Sequence, residues 1–255
     1  MDKIHAYCKD EVHRIQEIES IADTDSEEIN KWSRSRGFQI NLQPFGSGGF
    51  GIASVLDLLG LWVAKGKKSS VVTEDSQHFR GIKMTSTAVR SYHVEGNPNL
   101  IIEIGTRIGD KVHLMMADKV PSGLTLLDFV EQINREQKPT PFEYDEVIFP
   151  MIDLDEVTMI EWILGLQFET SNGKVPYFVI SQALAQTKMK MNEAGFRVRG
   201  AVAFGILAGP PLRRVKTYMI NRPFLMWIAR PGFSRPLFIG YLNEDVWRDP
   251  GSRNM

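Results

Sequence analysis

The sequence predicts an α+β fold in which mostly antiparallel sheets are accompanied by a few helices. From Gly81 onward, short apolar runs separated by turn residues recur along the chain and predict a series of strands. Near the C-terminus two apolar runs, 223–229 and 236–242, flank the turn residues Pro231 and Gly232. Neither run alternates strictly with polar residues, so both are expected to be strands buried on two faces. Amphipathic segments between the strands supply the helices of this class.

The first 37 residues predict an N-terminal helical segment that precedes a core domain over 38–255. Apolar residues recur there at steps of three and four: Ile4, Cys8, Val12, Ile15 and Ile18. This spacing predicts an amphipathic helix over 3–21. Residues 24–27, Thr-Asp-Ser-Glu, resemble a capping box, so a short polar helix is expected to follow to about Ser35.

The next segment changes pattern at a glycine cluster. Residues 38–45 alternate between apolar and polar side chains, which predicts a strand. Residues 46–51, Gly-Ser-Gly-Gly-Phe-Gly, then lead into an apolar run over 52–65 that we interpret as a helix. Residues 67–79 are polar and predict a loop or a short edge strand.

The remainder of the chain is predicted to be rich in strands. Two helices are expected, at 124–135 and 154–164, of which the first has Leu126, Leu127, Val130 and Ile133 on one face. The predicted strands are 82–87, 89–94, 100–106, 112–117, 143–150, 175–182, 187–192, 196–204 and 215–220. Pro210 and Pro211 mark a stiff, exposed loop before the last of these.

Composition places the chain among ordinary soluble globular proteins and excludes several classes. A net charge of −1 at 24% charged residues argues against nucleic acid and against an anionic membrane surface. The longest apolar run, 55–64, is interrupted by Asp57 and is too short to span a bilayer. The single cysteine, Cys8, excludes an intrachain disulfide, and the first ten residues lack an apolar signal core. We therefore expect a cytoplasmic or other intracellular protein, located in the host cell if it is viral.

Several motifs, in the same order along the chain, resemble those of the serpin family. Residues 221–225, Asn-Arg-Pro-Phe-Leu, and 237–240, Leu-Phe-Ile-Gly, resemble the closing strand pair of serpins. Residues 81–84, 99–104, 111–116 and 147–150 are similar to strand regions of that family, and 163–166 to a helix end. Residues 50–65 are similar, less specifically, to an N-terminal helix of serpins. The resemblance covers about 38–245.

The resemblance implies a reduced serpin-like fold, with mixed, mostly antiparallel sheets and a few helices. Serpins carry a long block of helices and main-sheet strands between the N-terminal helix and the region that 81–84 resembles. Here only 66–80 are available, which is too short for that block. The chain is therefore expected to lack part of the main sheet and several helices.

The hinge-like residues of this resemblance are Asn192, Glu193, Gly195 and Phe196, at the end of a strand region over 180–195. In inhibitory serpins small residues follow the hinge glycine, so that the reactive loop can enter the main sheet. Here bulky residues alternate with arginines over 196–204, which is a good strand pattern but a poor inserting loop. Burying an arginine without a partner would be unfavourable. We therefore expect a non-inhibitory protein.

The scissile region of the family falls on a reactive-loop-like segment. Counting back from Asn221 places it on six residues: Gly209, Pro210, Pro211, Leu212, Arg213 and Arg214. The alternatives are a solvated loop, or a serine or cysteine protease inhibitor or bait that presents Leu212-Arg213. A more remote alternative is a nucleotide-binding enzyme that uses Gly46 to Gly51, although no kinase base or metal-binding motif follows.

We expect no catalytic residues, no cofactor and no metal site. The five histidines lack metal-ligand spacing, and Ser171-Asn172-Gly173-Lys174 is better explained as a hairpin turn than as a catalytic SxxK motif. The prediction is a truncated serpin-like protein that acts by binding an unknown protein, which could be a protease. Main-sheet edges left by the missing strands also suggest a homodimer.

Overall fold

The computed structural model describes residues 14–169, 177–197 and 215–251. Within these ranges it contains two α-helices, α1 (Ser26–Ser35) and α2 (Leu124–Glu136), and three short 3₁₀ turns. The strands, in chain order, are β1 (Ile18–Asp23), β2 (Gly49–Leu56), β3 (Leu59–Leu61), β4 (Lys67–Val72), β5 (His78–Thr85), β6 (Val89–His93), β7 (Ile101–Gly105), β8 (Lys111–Met116), β9 (Lys138–Thr140), β10 (Glu146–Pro150), β11 (Ile152–Met159), β12 (Gln167–Glu169), β13 (Tyr177–Asn192), β14 (Gly195–Arg197), β15 (Thr217–Met219), β16 (Phe224–Ala229) and β17 (Phe238–Leu242).

The chain divides into two compact units. The first comprises Met1–Leu58 and Leu154–Lys188, and the second Leu59–Asp153 and Met189–Met255. The sequence-based division at residue 37 stays a prediction. Neither described helix is long and apolar enough to cross a membrane.

The first unit is built on a mixed sheet around the long strand β13. Strand β1 pairs antiparallel with β2, and β2 pairs parallel with the first part of β13. Strands β11 and β12 also pair with β13. Helix α1 covers this sheet through a cluster of buried residues: Ile29, Ile40, Leu42 and Ala53.

Helix α1 confirms the predicted polar helix. The Asp25 side chain caps it by accepting a hydrogen bond from the backbone N–H of Glu27 at 2.9 Å, and two glutamates in the first turn favour its N-terminal dipole. One face buries Ser26, Ile29, Asn30 and Ser33, Trp32 is half-buried, and the other residues of the helix are exposed. The sequence pattern was sufficient to predict this helix because capping and amphipathicity depend only on neighbouring residues.

Residues 38–43 cross the first unit without joining a sheet. Phe38, Ile40 and Leu42 are buried, as the predicted alternation requires, but no backbone ladder forms, so the predicted strand at 38–45 is wrong. Side-chain amides of Asn30, Gln182 and Gln186 bind the backbone of this segment instead. These side-chain carboxamides replace the hydrogen bonds that a neighbouring strand would supply.

Asn30 is expected to contribute strongly to the stability of the first unit. Its Oδ1 accepts from Leu42 N at 2.8 Å, and its Nδ2 donates to Leu42 O at 3.0 Å. Asn30→Ala would leave both buried groups of Leu42 without these partners, and should lower the free energy of unfolding by about 2 to 3 kcal/mol. Urea denaturation would measure this, with the exposed Gln43→Ala, in the same segment but without a contact to Asn30, as control. Equal losses in Asn30→Ala and Gln43→Ala would contradict this role for Asn30.

Three predicted helices are wrong where they overlap strands. The predicted helix at 3–21 is strand β1 from Ile18 onward, the one at 52–65 is β2 and β3, and the one at 154–164 is β11 with a 3₁₀ turn. In β2 the burial alternates with period two, and strand partners on both sides satisfy its backbone. Nonlocal pairing therefore outweighed the apolar content that suggested helices. The resemblance of 50–65 to a serpin helix is wrong for the same reason.

The second unit contains two further sheets. One has the strand order β15-β10-β5-β4, and the other the order β17-β16-β8-β7-β6-β9. Helix α2 packs on the six-stranded sheet, where it confirms the predicted helix, through a buried cluster of Ile101, Met115, Val130, Ile133, Leu225 and Trp227.

The C-terminal hairpin confirms the predicted strand pair with one correction. Strand β16 is buried from Phe224 to Ile228 because it lies between β8 and β17. Strand β17 is at the edge of the sheet and mostly half-buried, so the prediction that it is buried on two faces is wrong. Its apolar residues can be covered when only one face of the strand packs against the rest of the sheet's core.

Candidate functional site

The hinge-like residues form a tight turn at the end of β13 in the second unit. Strand β13 ends at Asn192, and β14 begins at Gly195 and runs back antiparallel to it. The Asn192 side chain accepts a hydrogen bond from the backbone N–H of Ala194 at 2.8 Å, which is the Asx-turn geometry that favours a reversal at this position. The predicted strand end at Asn192 agrees with β13, whereas the partners of the strand that follows were not predicted.

Strand β14 lies between two strands. On one side Gly195 pairs with Asn192 and Phe196 with Met191, and on the other Gly195 pairs with Leu61 and Phe196 with Gly60. All three residues of β14 therefore have antiparallel partners on both sides. A segment placed in this way is an inner strand of the sheet and not an exposed loop.

Trp62 joins β3 to the hinge turn. Its indole Nε1 donates to Asn192 O at 2.9 Å, and its backbone N donates to Ala194 O at 3.0 Å. Gly66 N donates to Glu193 O at 2.8 Å. Three consecutive carbonyls, those of residues 192–194, are thus used by residues of the second unit, so the turn is held on its outer side as well as by its own Asx contact.

Phe196 fills the interior beneath the turn. Its side chain is 2% exposed, and its ring centroid lies 5.7 Å from that of Trp62. A Cβ on Gly60 would lie 2.2 Å from Cε1 of Phe196, and one on Gly195 would lie 2.1 Å from Gly60 O. Glycine is therefore required at both positions, because any larger residue would separate the strands that enclose Phe196.

An exposed apolar row lies on the opposite face of β3. Gly60 and Trp62 point inward, whereas Leu59, Leu61 and Val63 are 42%, 41% and 66% exposed. Ile108, near this row in the second unit, is 61% exposed, and its neighbour Arg107 donates a backbone hydrogen bond to Leu61 O. The alternating pattern of 59–63 could have revealed this row, but the predicted helix obscured it.

A buried carboxylate network lies in the six-stranded sheet and was missed by sequence reasoning. Glu103 on β7 is paired in register with His113 on β8, and His113 is paired with Trp227 on β16. Glu103 Oε2 lies 3.0 Å from Tyr92 Oη, 3.4 Å from Lys111 Nζ and 3.4 Å from His113 Nε2. The His113 and Trp227 rings stack at 4.8 Å with an interplanar angle of 5°. A charged residue within the apolar run Ile-Ile-Glu-Ile was the available signal.

The network keeps Glu103 ionised although the residue is buried. Burial raises the pKa of Glu103, but the hydrogen bond and charge of His113, followed by Lys111 and Tyr92, outweigh this effect and lower the pKa to about 2. Burial and the neighbouring Glu103 charge raise the pKa of Tyr92. Glu103 and its three partners therefore stabilise one another in the folded protein.

The glycine cluster at 46–51 does not form a phosphate loop that leads into a helix. Gly46 to Gly48 make a turn, closed by Gly49 N donating to Gly46 O at 2.9 Å, and β2 begins at Gly49. A Cβ on Gly51 would lie 2.3 Å from Cζ of Phe45, so packing explains this glycine. The helix N-terminus that a nucleotide site of this kind requires is absent from this described segment.

The other predicted site residues fall outside the described ranges. They are the reactive-loop-like Gly209, Pro210, Pro211, Leu212, Arg213 and Arg214, and also Cys8 and Ser171 to Lys174. Among residues 14–169, 177–197 and 215–251, no group of three or more histidine, cysteine, aspartate or glutamate side chains could hold a metal ion.

Comparison with known proteins gives structural matches only. No protein-family model and no curated protein matches the chain. Among solved structures, human thyroxine-binding globulin matches with a TM-score of 0.55 at 11% identity, over 85% of this chain and 63% of its own. Mouse protein-Z-dependent protease inhibitor matches with a TM-score of 0.56 at 13% identity, over 94% and 77%. Serpin48 from the insect Tenebrio molitor matches at 0.52 and 14%, over 85% and 64%.

The chain spans less than two thirds of the length of thyroxine-binding globulin and of Serpin48. At these sequence identities the matches establish the architecture. The protein has a divergent serpin-like fold that is shorter than the serpins it matches.

Proposed function

We propose that this protein is a non-inhibitory serpin-like protein that acts by binding another protein. The observation that carries the proposal is the position of β14. In the serpin mechanism that the resemblance implies, residues after the hinge enter the main sheet and the transition releases stored strain. Here Gly195 and Phe196 already have strand partners on both sides.

The free energy that cleavage of the loop could still release depends on how much strand pairing and burial remain to be gained. Strand pairing and burial drive insertion, and β14 has gained both before any cleavage. Phe196, packed against Trp62 in the intact chain, would gain no further burial. The arginines at 197 and 199 make continued insertion unfavourable wherever their charges would have to be buried without partners. Strand β14 is therefore already formed in the intact chain and is not a loop that still has to insert.

A binding role is supported by the exposed apolar row of the second unit. Leu59, Leu61, Val63 and Ile108 expose large apolar side chains in one part of the second unit, and clustered exposed apolar residues are a frequent feature of protein-interaction sites. The structural neighbours include a hormone-binding globulin and a protease inhibitor, so the fold supports both binding and inhibition. We propose a role without catalysis, because the glycine cluster is explained by packing.

The test is incubation of the protein with trypsin-like and chymotrypsin-like proteases, followed by a denaturing gel and a thermal melt of the product. We expect cleavage without an SDS-resistant adduct, and a melting temperature that is unchanged or lower after cleavage. An inhibitory serpin treated with the same proteases serves as the positive control. An adduct, or a large rise in melting temperature, would overturn the proposal.

The second candidate function is the inhibitor or bait that presents Leu212-Arg213. It is favoured by the likeness to mouse protein-Z-dependent protease inhibitor. The same gel separates the two functions, since an inhibitor traps the protease covalently and a bait is only clipped. Arg213→Ala is the matched variant: loss of trypsin-like cleavage or of an adduct in this variant would assign the scissile bond to that residue.

A further inference from the structure

The outer edge of β4 in the second unit carries a charge pattern that is complementary to a second copy of itself. Strand β4 is the last strand in the order β15-β10-β5-β4, and no other described strand pairs with its outer side. Lys67, Lys68 and Ser70 are exposed. An edge of this kind presents unpaired backbone groups and is a site where another strand can be added.

The alternation of hydrogen-bonded and non-hydrogen-bonded pairs in the β4–β5 hairpin shows which backbone groups of β4 face outward. Thr73 N donates to Gln77 O at 3.0 Å, so Thr73 and Gln77 form a hydrogen-bonded pair. Bonded and non-bonded pairs alternate along an antiparallel ladder, and the register pairs Val71 with Phe79 and Ser69 with Gly81. The intervening Lys68, Ser70 and Val72 therefore point their amides and carbonyls away from β5.

The charges along this hairpin have opposite signs at its two ends. Lys67 and Lys68 begin β4, whereas Glu74 and Asp75 lie at the hairpin tip, where they are exposed. Arg222 Nε lies 3.5 Å from Glu74 Oε1, and Asp75 accepts a hydrogen bond from Gln77 Nε2 at 2.7 Å, so both tip residues are held near the end of the edge. Between the two ends the strand contains only serine and valine.

We propose that β4 pairs antiparallel with β4 of a second copy of this chain around a two-fold axis. With Val71 on the axis, the lysines of each copy come next to Glu74 and Asp75 of the other. The outward amides of Lys68, Ser70 and Val72 then meet the outward carbonyls of the second strand. Parallel pairing would place lysine beside lysine, so the charge pattern selects the antiparallel arrangement. A closed pair of this kind also covers an edge that would otherwise be open to further association.

Sedimentation velocity tests the proposal over about 1 to 200 µM, a range that covers weak and transient interfaces. We expect a concentration-dependent dimer of the wild type. We expect two double variants to raise the dimer dissociation constant by about tenfold or more each, because like charges then face each other. The first is Lys67→Glu with Lys68→Glu, and the second is Glu74→Lys with Asp75→Lys. An equimolar mixture of these two double variants should dimerise again, because opposite charges meet at both ends.

Two further variants separate edge pairing from a general effect of charge or folding. Ser70→Pro removes an outward amide and leaves the bonds to β5 in place, so it should abolish the dimer while thermal melts show a folded protein. Lys119→Glu with Arg107→Glu changes the net charge as much as the lysine pair, at exposed positions away from β4, and should have no effect. A monomeric wild type, a dimer that survives Ser70→Pro, or double variants that fail to associate when mixed would overturn the proposal.

Discussion

Replacing Trp62 with alanine is expected to lower the free energy of unfolding by about 3 to 5 kcal/mol, the range found for large aromatic residues in a core. The side chain is 1% exposed, packs against the ring of Phe196 at an interplanar angle of 58° and donates a hydrogen bond to Asn192 O. The variant removes the contact that joins β3 to the hinge turn. Urea denaturation followed by circular dichroism measures the loss.

Two variants distinguish the hinge contact from the general effect of losing a tryptophan. Trp32 is half-buried on α1, so Trp32→Ala should reduce stability much less. Trp62→Phe keeps an aromatic ring beside Phe196 but leaves Asn192 O without the indole donor, and should lose about 1 to 3 kcal/mol. A Trp62→Ala variant as stable as Trp32→Ala would contradict the role of Trp62.

The coupling between Trp62 and Phe196 is measurable by a double-mutant cycle. Because the two rings are in direct contact, the losses in Trp62→Ala and Phe196→Ala should not add, with an interaction energy of about 0.5 to 3 kcal/mol. Additive losses would show that β14 is not packed on β3 in solution. The premise of the proposed non-inhibitory function would then fail.

The stability of the protein is expected to depend on the ionisation of Glu103 at acidic pH. The folded-state pKa of Glu103 is lowered from 4.5 to about 2, because the hydrogen bond and charge of His113, with Lys111, outweigh the effect of burial. A lowered pKa means that ionisation stabilises the folded state. This contribution is fully present above the unfolded value near 4.5 and is lost as the pH falls through about 2.

The corresponding variant is Glu103→Gln, which keeps the shape of the side chain and removes its ionisation. The wild type should lose about 3 kcal/mol more stability than this variant between pH 6 and pH 2, from about 1.4 kcal/mol for each unit of pKa change. Chemical denaturation at a series of pH values measures the difference. Glu95→Gln, at an exposed position, is the control and should follow the wild type. Parallel curves for the wild type and Glu103→Gln would contradict an ionised Glu103 in the folded state.

Most of the second unit was predictable because its patterns are local. Helix α2 shows its apolar face at helical spacing, and the strands from β5 to β8 are short apolar runs between turn residues. The same reasoning failed at 52–65, where an apolar run was interpreted as a helix. Leu59, Leu61 and Val63 alternate with Gly60 and Trp62, a period of two that indicates a strand. Apolar content alone does not distinguish a buried strand from a helix.

The sequence by itself determined the α+β class, the positions of most strands from β5 onward and the C-terminal hairpin. The tertiary structure alone decided which strands enclose the residues that follow Asn192. Trp62 and Asn192 are 130 residues apart in the chain, and no local pattern specifies that β14 pairs with β3 or that Glu103 meets His113. Capping, turn formation and periodicity depend on neighbouring residues, whereas strand partners and buried ion pairs depend on which distant segments fold against each other.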